Sequence, residues 1–472
     1  MELVMKKKLI AVTVAALTAG STSVHAADWN ITQQTTLNGV MPTLNQGDAT
    51  LVTNSTQALN HVDLASGDNI SQGSQTVDAS VAVDISMTQG SNANVGAIQA
   101  LNSAIADSIG STSTFTQTAV AESGSATTLN QTNTAGNGNI QAINVANADD
   151  ASGGIADLTQ SYTAGTTAAL GQNNGAGGNN TQAFNNAIAA NGITTLNQTF
   201  TAGSSTTGFT QDGSGSGDVQ AANNAEAAGV ISGLSQTSTL GSSITNLTQQ
   251  GTTTAAEQAL NRVEQTSTSA GSLGVSGTAA AQTVSSSAAL TFLQSGNTSG
   301  VQAGNNAKVA KDVTNLAQTV TAADAITMTQ QGSITSSQQA LNRVALTDSG
   351  ATIIKVAQSV TGGTDTTFTQ ASNPATPIQA GNLIDLASST SISVDGSNDQ
   401  QSFTTGSGDT EFNQTGGTSH IQAANAIVYT AVSAASATKQ LFTLASGSTS
   451  MEFNQNGTTT SIQAGNFVGE KL

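Results

Sequence analysis

Apolar and polar residues alternate along short stretches of this chain. In residues 196–201, Leu196, Gln198 and Phe200 lie on one side of an extended backbone, and Thr199 and Thr201 lie on the other. Alternation with a period of two, in stretches rich in Thr and apolar residues, predicts β-strands. The same pattern, with Gln at the same place, recurs at 234–239, 316–321 and 356–361.

Each repeat combines three such segments. The first is the apolar-x-Gln-Ser/Thr stretch just described. The second reads apolar-x-Gln and is commonly followed by a glycine, such as Gly296 or Gly416, where the backbone can take a positive φ and turn. The third reads apolar-Gln-Ala-x-Asn, and in it we expect Ile421, Ala423 and Asn425 to share one face.

The Gln-Ala-x-Asn segment defines the length of the repeat. It occurs about every 41 residues, a period typical of solenoids, propellers and arrays. Its eleven copies end at Asn60, Asn102, Asn144, Asn185, Asn223, Asn261, Asn305, Asn342, Asn382, Asn425 and Asn466.

The repeats predict an all-β fold, namely a β-solenoid or stacked β-arc array of about eleven units, with one unit per layer. The Ala-rich links, such as 185–190, are short, broken by glycine and poor in Leu, Glu and Lys, which argues against a helical solenoid. The leucine-rich and calcium β-roll patterns are absent from the sequence. Low-complexity disorder is the alternative that the Gly, Ser, Thr, Asn and Gln content leaves open.

Stacked units would place each Gln and Asn over its counterpart in the next layer. Their side-chain amides would then bond along the stack, which explains why polar residues recur on the face assigned to the core. We therefore interpret these residues as a structural ladder rather than a binding site. The ladder residues are Gln198, Gln211, Gln236, Gln249, Gln294, Gln318, Gln330, Gln358, Gln370, Gln414 and Gln455, with Asn223, Asn305, Asn382, Asn425 and Asn466.

The N-terminus has the features of an export signal. Three lysines at 6–8, an apolar run at 9–17 and Val24-His25-Ala26 predict a signal peptide over 1–26 and a single repeat domain over 27–472. The apolar run is too short for a membrane span. We expect a secreted or cell-surface protein.

Composition excludes several classes of function. The chain has no cysteine and a formal net charge of −18, so disulfide stapling, lipid attachment through cysteine and nucleic-acid binding are not expected. Beyond the signal peptide the histidines are His61 and His420, and we expect His420 in a surface turn. No EF-hand spacing surrounds Asp149 and Asp150. The sequence predicts no catalytic site, cofactor or metal.

The Gln-x-Gly turns resemble those of curli, a class of secreted bacterial functional amyloid. The matching positions are Gln211-Asp212-Gly213, Gln294-Ser295-Gly296, Gln414-Thr415-Gly416 and Gln455-Asn456-Gly457, each followed by a second Gln at 220, 302, 422 and 463. The resemblance implies stacked strand–turn–strand units with internal Gln and Asn ladders. This unit is about twice as long as a curlin repeat and has three segments rather than two.

Two functions follow as expectations. The first is a fibre subunit of a biofilm matrix with a role in adhesion, because the units begin near Trp29 and continue to Asn466, which predicts open edges and end-to-end self-association. Export or nucleator proteins are open candidates for further partners. The alternative is a monomeric adhesin or ice-binding module. It would use the outward pairs Ser161 and Thr163, Thr199 and Thr201, Thr237 and Thr239, Thr319 and Thr321, and Ser359 and Thr361.

Overall fold

A computed structural model describes the chain from residue 27 to residue 470, with short gaps. The predicted signal peptide at 1–26 lies outside the described residues. The gaps are 38–42, 49–51, 54, 80–83, 92–93, 123, 134–136, 149–152, 174–176, 204–205, 213–215, 242–243, 252–254, 269–270, 276–277, 297–298, 333–335, 349–350, 372–376, 387–392, 395–399, 417–418, 430–433, 436–438 and 457–459.

Three parallel sheets contain most of the described strands, which are numbered in chain order. Sheet 1 follows the first segment of each repeat. Its main path is β1 (Asp28–Thr36), β5 (Asn69–Ala79), β10 (Phe115–Ala121), β13 (Ile155–Thr163), β16 (Ile193–Thr201), β19 (Ile231–Leu240), β23 (Ala280–Ser286), β27 (Leu316–Ala322), β30 (Val356–Thr361), β34 (Gln400–Thr404) and β38 (Lys439–Thr443). Short strands beside this path are β9 (Ser108–Ile109), β22 (Ser272–Leu273) and β26 (Asp312–Val313).

Sheets 2 and 3 follow the second and third segments. Sheet 2 contains β2 (Thr43–Asp48), β6 (Ile85–Ser91), β11 (Ala126–Asn133), β14 (Thr167–Asn173), β17 (Thr206–Asp212), β20 (Ile244–Gln250), β24 (Leu290–Ser295), β28 (Ile326–Gln331), β31 (Thr366–Ala371), β35 (Asp409–Thr415) and β39 (Ser450–Asn456). Sheet 3 contains β4 (Thr56–Asp63), β8 (Ile98–Ala106), β12 (Ile140–Ala148), β15 (Thr181–Ala189), β18 (Val219–Ala227), β21 (Ala256–Gln265), β25 (Ser299–Val309), β29 (Ser336–Leu346), β32 (Ile378–Leu386), β36 (Ser419–Tyr429) and β40 (Thr460–Glu470). Two small pairs complete the set, β3 (Val52–Thr53) with β7 (Asn94–Val95) and β33 (Ser393–Val394) with β37 (Ala434–Ala435).

Each layer of the array contains one strand from each of the three sheets. The layers are numbered 1 to 11 along the chain, so that β1, β2 and β4 form layer 1, and β38, β39 and β40 form layer 11. Equivalent residues pair in register between layers, as Gln318 pairs with Gln358 and Gln358 with Gln401. The predicted all-β solenoid-like array is thus confirmed.

Sheets 1 and 2 have one buried face and one outward face. Strand β10, for example, alternates between buried and partly exposed residues along its whole length. Sheet 3 differs, because strands such as β32 are buried at every position. The two-residue alternation that we expected for the third segment therefore does not describe the burial of sheet 3.

An irregularity in the Gln-Ala-x-Asn segment explains this difference. Ala423 and Asn425 pair in register with the next layer, but the residue between them, Ala424, does not. Ile421 and Ala423 pack in one apolar cluster on the outer face of sheet 3, whereas the Asn425 amide bonds to sheet 1 on the inner face. The expectation that Ile421, Ala423 and Asn425 share a face is therefore wrong for Asn425.

The interior between the sheets is packed by apolar residues of changing size. Phe403 of sheet 1 is fully buried, and Gly381 of sheet 3 leaves room for its ring. A Cβ added at Gly381 would lie 2.1 Å from the Phe403 Cδ2 atom. A large residue in one strand is thus matched by a missing side chain in another.

Turns and one histidine complete the comparison with the sequence. Gly296 and Gly416 have φ values of 80° and 79°, as expected for glycines that follow a ladder Gln. His420 was expected in a surface turn, but it lies in β36 and is fully buried. The strand begins at Ser419, so His420 belongs to sheet 3. Both faces of that sheet are buried, which explains the burial of His420.

Candidate functional site: amide ladders and a charged cluster

A Gln ladder runs along the inner face of sheet 1. Each Nε2 donates to the Oε1 of the Gln in the preceding layer at 2.7–2.8 Å. The ladder therefore has one direction throughout. Its members are Gln33, Gln75, Gln117, Gln160, Gln198, Gln236, Gln282, Gln318, Gln358, Gln401 and Gln440.

The second Gln ladder lies in sheet 2 and has the same direction. From Gln131 to Gln414 the Nε2-to-Oε1 distances are 2.8–3.0 Å. Intermediate members are Gln172, Gln211, Gln249, Gln294, Gln330 and Gln370. Gln414 and Gln455 are in register, but the Gln414 Oε1 and the Gln455 Nε2 have no hydrogen-bond partner among the described residues. This ladder therefore ends at layer 10.

Sheet 3 carries two ladders of opposite direction. Its Gln residues, from Gln57 to Gln463, donate to the preceding layer at 2.8–3.2 Å. Its Asn residues donate from Nδ2 to the Oδ1 of the following layer at 2.7–2.9 Å. Asn223, Asn305, Asn382, Asn425 and Asn466 belong to this Asn ladder.

The same amides also join one sheet to another. Gln117 Nε2 donates to the Val145 backbone oxygen of sheet 3 at 2.8 Å, and Asn144 Nδ2 donates to the Ser161 backbone oxygen of sheet 1 at 3.0 Å. Ladder amides such as these bond both along the stack and across it. An unpaired buried amide costs about 1–3 kcal/mol, and these bonds avoid that cost for the amides that make them.

The two end layers expose unused ladder groups. In layer 1, Gln33 Nε2 donates one hydrogen bond to the His61 backbone oxygen, although Nε2 carries two hydrogens. In layer 11, Gln440 and Gln463 donate toward layer 10, and in the described part of the chain their Oε1 atoms accept no recorded bond. Asn466 receives a bond from Asn425 and has its Nδ2 hydrogens unused there.

Hydroxyl residues form columns on the outward face of sheet 1. In the first column, Thr199 pairs with Ser161 on one side and Thr237 on the other. It continues to Thr283, Thr319, Ser359 and Ser402. The second column contains Thr163, Thr201, Thr239, Ser285, Thr321, Thr361 and Thr404.

The outer face of sheet 3 carries a feature that the sequence interpretation missed, a charged cluster in layers 5–9. Arg262 Nε donates to Glu257 Oε2 at 2.5 Å, and its Nη2 donates to Glu264. Lys308, in the next layer, lies 3.4 Å from Glu257 Oε1 and 2.8 Å from Glu264 Oε1. We use the name charged cluster for Glu226, Glu257, Arg262, Glu264, Lys308, Arg343 and Asp385.

Neutral amides connect the two ends of the charged cluster. Arg343 Nη1 donates to Asn306 Oδ1 at 2.8 Å and its Nε to Gln338 Oε1 at 2.5 Å. Gln338 Nε2 then donates to Asp385 Oδ2 at 2.5 Å. The signal that could have located the cluster is positional: Arg262 and Arg343 both directly follow the Asn of a Gln-Ala-x-Asn segment.

Burial and ion pairing shift the pKa values in opposite directions within the cluster. Burial opposes ionisation of Glu257, but the Arg262 guanidinium and the Lys308 ammonium outweigh it and lower the pKa of Glu257 to about 2. Burial dominates at Glu226 and raises its pKa. Glu257 therefore stays ionised in the folded array.

A short polar column at the entry to sheet 3 ends in a buried carboxylate. Asn139 donates from its backbone N and its Nδ2 to Asn180 Oδ1, and Asn180 does the same to Asp218 Oδ1, all at 3.1 Å. Asp218 is fully buried, and its Oδ2 has no partner among the described residues. Burial raises the pKa of Asp218.

The described residues contain no group of three His, Cys, Asp or Glu side chains that could hold a metal ion. They also contain no helix of the length and apolarity that a membrane crossing requires. Comparison of the chain with protein-family models, curated proteins and solved structures finds no match.

Proposed function

We propose that the protein is a structural subunit of an extracellular fibre, similar in architecture to curli, that contributes to a biofilm matrix and to surface adhesion. The observation that carries this proposal is the matching of unused ladder groups on layers 1 and 11. The predicted signal peptide supports an extracellular location.

The direction of the ladders favours stacking of layer 11 of one copy on layer 1 of the next. In that arrangement Gln33 Nε2 would face Gln440 Oε1, which continues the sheet 1 ladder in its own direction. The Asn466 Nδ2 would face Asn60 Oδ1. This contact continues the Asn ladder, whose direction is opposite to that of the Gln ladder. A contact between two copies of layer 1 would instead place donors opposite donors.

Head-to-tail contacts of this kind do not close on themselves. Two different surfaces meet, so each added copy exposes a new layer 11, and the product is a filament rather than a defined oligomer. At each contact one strand of each of the three sheets would pair with its counterpart in the next copy, which is the geometry of cross-β assembly.

The proposal is tested with purified chain 27–472 at micromolar concentration. We expect fibres with a meridional reflection at about 4.7–4.8 Å and acceleration by preformed seeds. Gln33→Leu should slow seeded elongation several-fold, because it removes a donor from the joining layer. Gln34→Leu is the matched control, since Gln34 is exposed on the outward face.

A folded protein that stays monomeric for days, with seeds present and a β-type circular dichroism spectrum, would contradict the proposal. Equal elongation rates of the Gln33 and Gln34 variants would contradict the ladder contact specifically.

The in-register hydroxyl columns favour the second candidate, a monomeric binding module. Thr199 and Thr201 repeat their outward positions in the next layer at Thr237 and Thr239, so regularly spaced hydroxyl groups cover sheet 1. Threonine also has a high β-sheet propensity, and paired threonines stabilise neighbouring strands without any ligand. Freezing hysteresis in soluble protein, abolished by Thr237→Tyr, would favour an ice-binding module over the fibre subunit.

A further inference from the structure

We propose that the charged cluster determines which layers stack on one another, and that Asn306 in layer 7 acts as the spacer that keeps Arg262 and Arg343 apart. This inference concerns the folded monomer and is independent of fibre formation.

The amide ladders alone do not distinguish one layer from another. Gln236 in layer 6 bonds with Gln282 in layer 7, and Gln318 in layer 8 offers the same group at the same position. If layer 7 looped out, layer 8 could rest on layer 6 with the same kind of ladder bond across the new contact, and one set of bonds between layers would be lost. Closing a longer loop costs little, since each doubling of loop length adds only about 0.6 kcal/mol.

Residues on the outer face of sheet 3 make this skipped arrangement less stable than the native one. Arg262, Asn306 and Arg343 occupy one column in layers 6, 7 and 8. In the native order the Asn306 amide separates the two guanidinium groups and accepts a hydrogen bond from Arg343 Nη1 at 2.8 Å. Without layer 7, two buried arginines would lie in neighbouring strands, where like charges repel.

Lys308 contributes a second difference. It reaches from layer 7 to both Glu257 and Glu264 in layer 6, whereas the residue at its position in layer 8 is Ala345. Skipping layer 7 would therefore also remove the ammonium partner of two largely buried carboxylates. Breaking one side of a buried ion pair is strongly destabilising.

Buried ion pairs are poor sources of net stability, and their best-attested use is to specify register. All the ion pairs recorded among the described residues lie in this cluster. A chain built from near-identical layers needs some residues that differ between layers. The charged cluster supplies that difference in the middle of the array.

The test uses pairs of cysteines on the outward face of sheet 1, because the natural chain has none. Thr237→Cys with Thr283→Cys reports native stacking of layers 6 and 7. Thr237→Cys with Thr319→Cys reports a skipped layer 7. Adjacent strands are about 4.8 Å apart and allow a disulfide, whereas two layers span about 9.6 Å and do not.

The decisive variant is Arg343→Asn with Ala345→Lys, which gives layer 8 the residues of layer 7 at these two outer-face positions. After dilute refolding and oxidation, the skipped-layer disulfide in the monomer should rise at least about fivefold, the effect of roughly 1 kcal/mol. Arg343→Lys is the matched control and should leave this disulfide at background, because it keeps the charge.

Arg343→Asn alone is the milder second variant, and the column already holds asparagine at Asn224 and Asn306. We expect it to show an increase smaller than that of the double variant. If the double variant fails to give a β-type spectrum, this single variant decides the question. Background levels of the skipped-layer disulfide in folded variants would overturn the proposal.

Discussion

The interior of the array and the outer face of sheet 3 differ in how much they change from layer to layer. Inside, the same Gln amide occurs in sheet 1 from Gln33 to Gln440. On the outer face of sheet 3, the position after the ladder Asn changes from Asn224 to Arg262 and, further along, to Leu383.

This comparison separates stability from specification. Identical columns satisfy most of the buried amides, but they fit equally well in any order of layers. Columns that change along the stack contribute less regular bonding, yet they favour the native order of the layers over other orders. Substitutions at five positions test this distinction, from the largest expected effect to the smallest.

Gln318→Glu should have the largest effect. Gln318 is fully buried between Gln282 and Gln358, so a carboxylate there would face uncharged amides, at a cost of about 3–5 kcal/mol. Urea unfolding measures the loss. The matched control is Thr319→Glu, which faces outward on the same strand and should change stability by about 0.5 kcal/mol or less. Equal losses would remove Gln318 from the interior ladder.

At a ladder position nearer the end, Gln414→Leu should be tolerated better than Gln414→Glu. Leucine leaves the Gln370 Oε1 without the hydrogen bond that Gln414 Nε2 donates, whereas glutamate buries a charge next to that oxygen. Equal stability of the two variants would show that Gln414 does not belong to the core.

Gly381→Leu tests whether the interior beside Gly381 can accept a larger side chain. The added side chain would collide with the Phe403 ring, and overpacking of this kind costs about 1–3 kcal/mol. Adding Phe403→Ala should restore part of the lost unfolding free energy. No recovery in the double variant would mean that Gly381 is required for its backbone rather than for the space beside Phe403.

Asp218→Asn should stabilise the protein by about 1 kcal/mol at neutral pH. Because burial holds the folded pKa of Asp218 above its unfolded value, folding disfavours the ionised form. The natural protein therefore gains stability as the pH falls through that folded pKa, and the variant should lack this gain. Unfolding at a series of pH values measures it. A variant less stable than the natural protein at neutral pH would contradict the prediction.

Glu452→Gln should have the smallest effect. Glu411 and Glu452 lie in register on neighbouring outward strands, as expected from the sequence, and facing like charges cost about 0.2–1 kcal/mol. Glu122→Gln, outside the described strands, is the control for net charge. For the same reason mild acid should favour assembly of this acidic chain. A growth rate that rises steadily from about pH 5 to about pH 8 would contradict this.

Much of the array could be predicted from local sequence. The alternation in residues 196–201 predicted strands, and the spacing of the Gln-Ala-x-Asn segments predicted eleven stacked units with amide ladders. These features are readable because strand pairing in register places equivalent residues together, so the repeat period alone identifies each neighbour.

The tertiary structure alone decided which side chains of sheet 3 are buried and which way they face. Sheet 3 packs on both faces, so His420 is buried rather than exposed, and the irregularity before Asn425 turns its amide inward. No local pattern reveals these facts, because they depend on whether each face of a strand is covered in the folded array.

The charged cluster shows the same limit for electrostatics. Glu257 and Arg262 lie in one strand and Lys308 lies in the strand of the next layer, and all three resemble surface charges in an acidic chain, yet they meet on one largely buried face. Their pairing arises from stacking of one layer on the next and from burial of both faces of sheet 3. The sequence determined the repeat and the residues that form the ladders; the three-dimensional packing decided which polar side chains are buried and which charges meet.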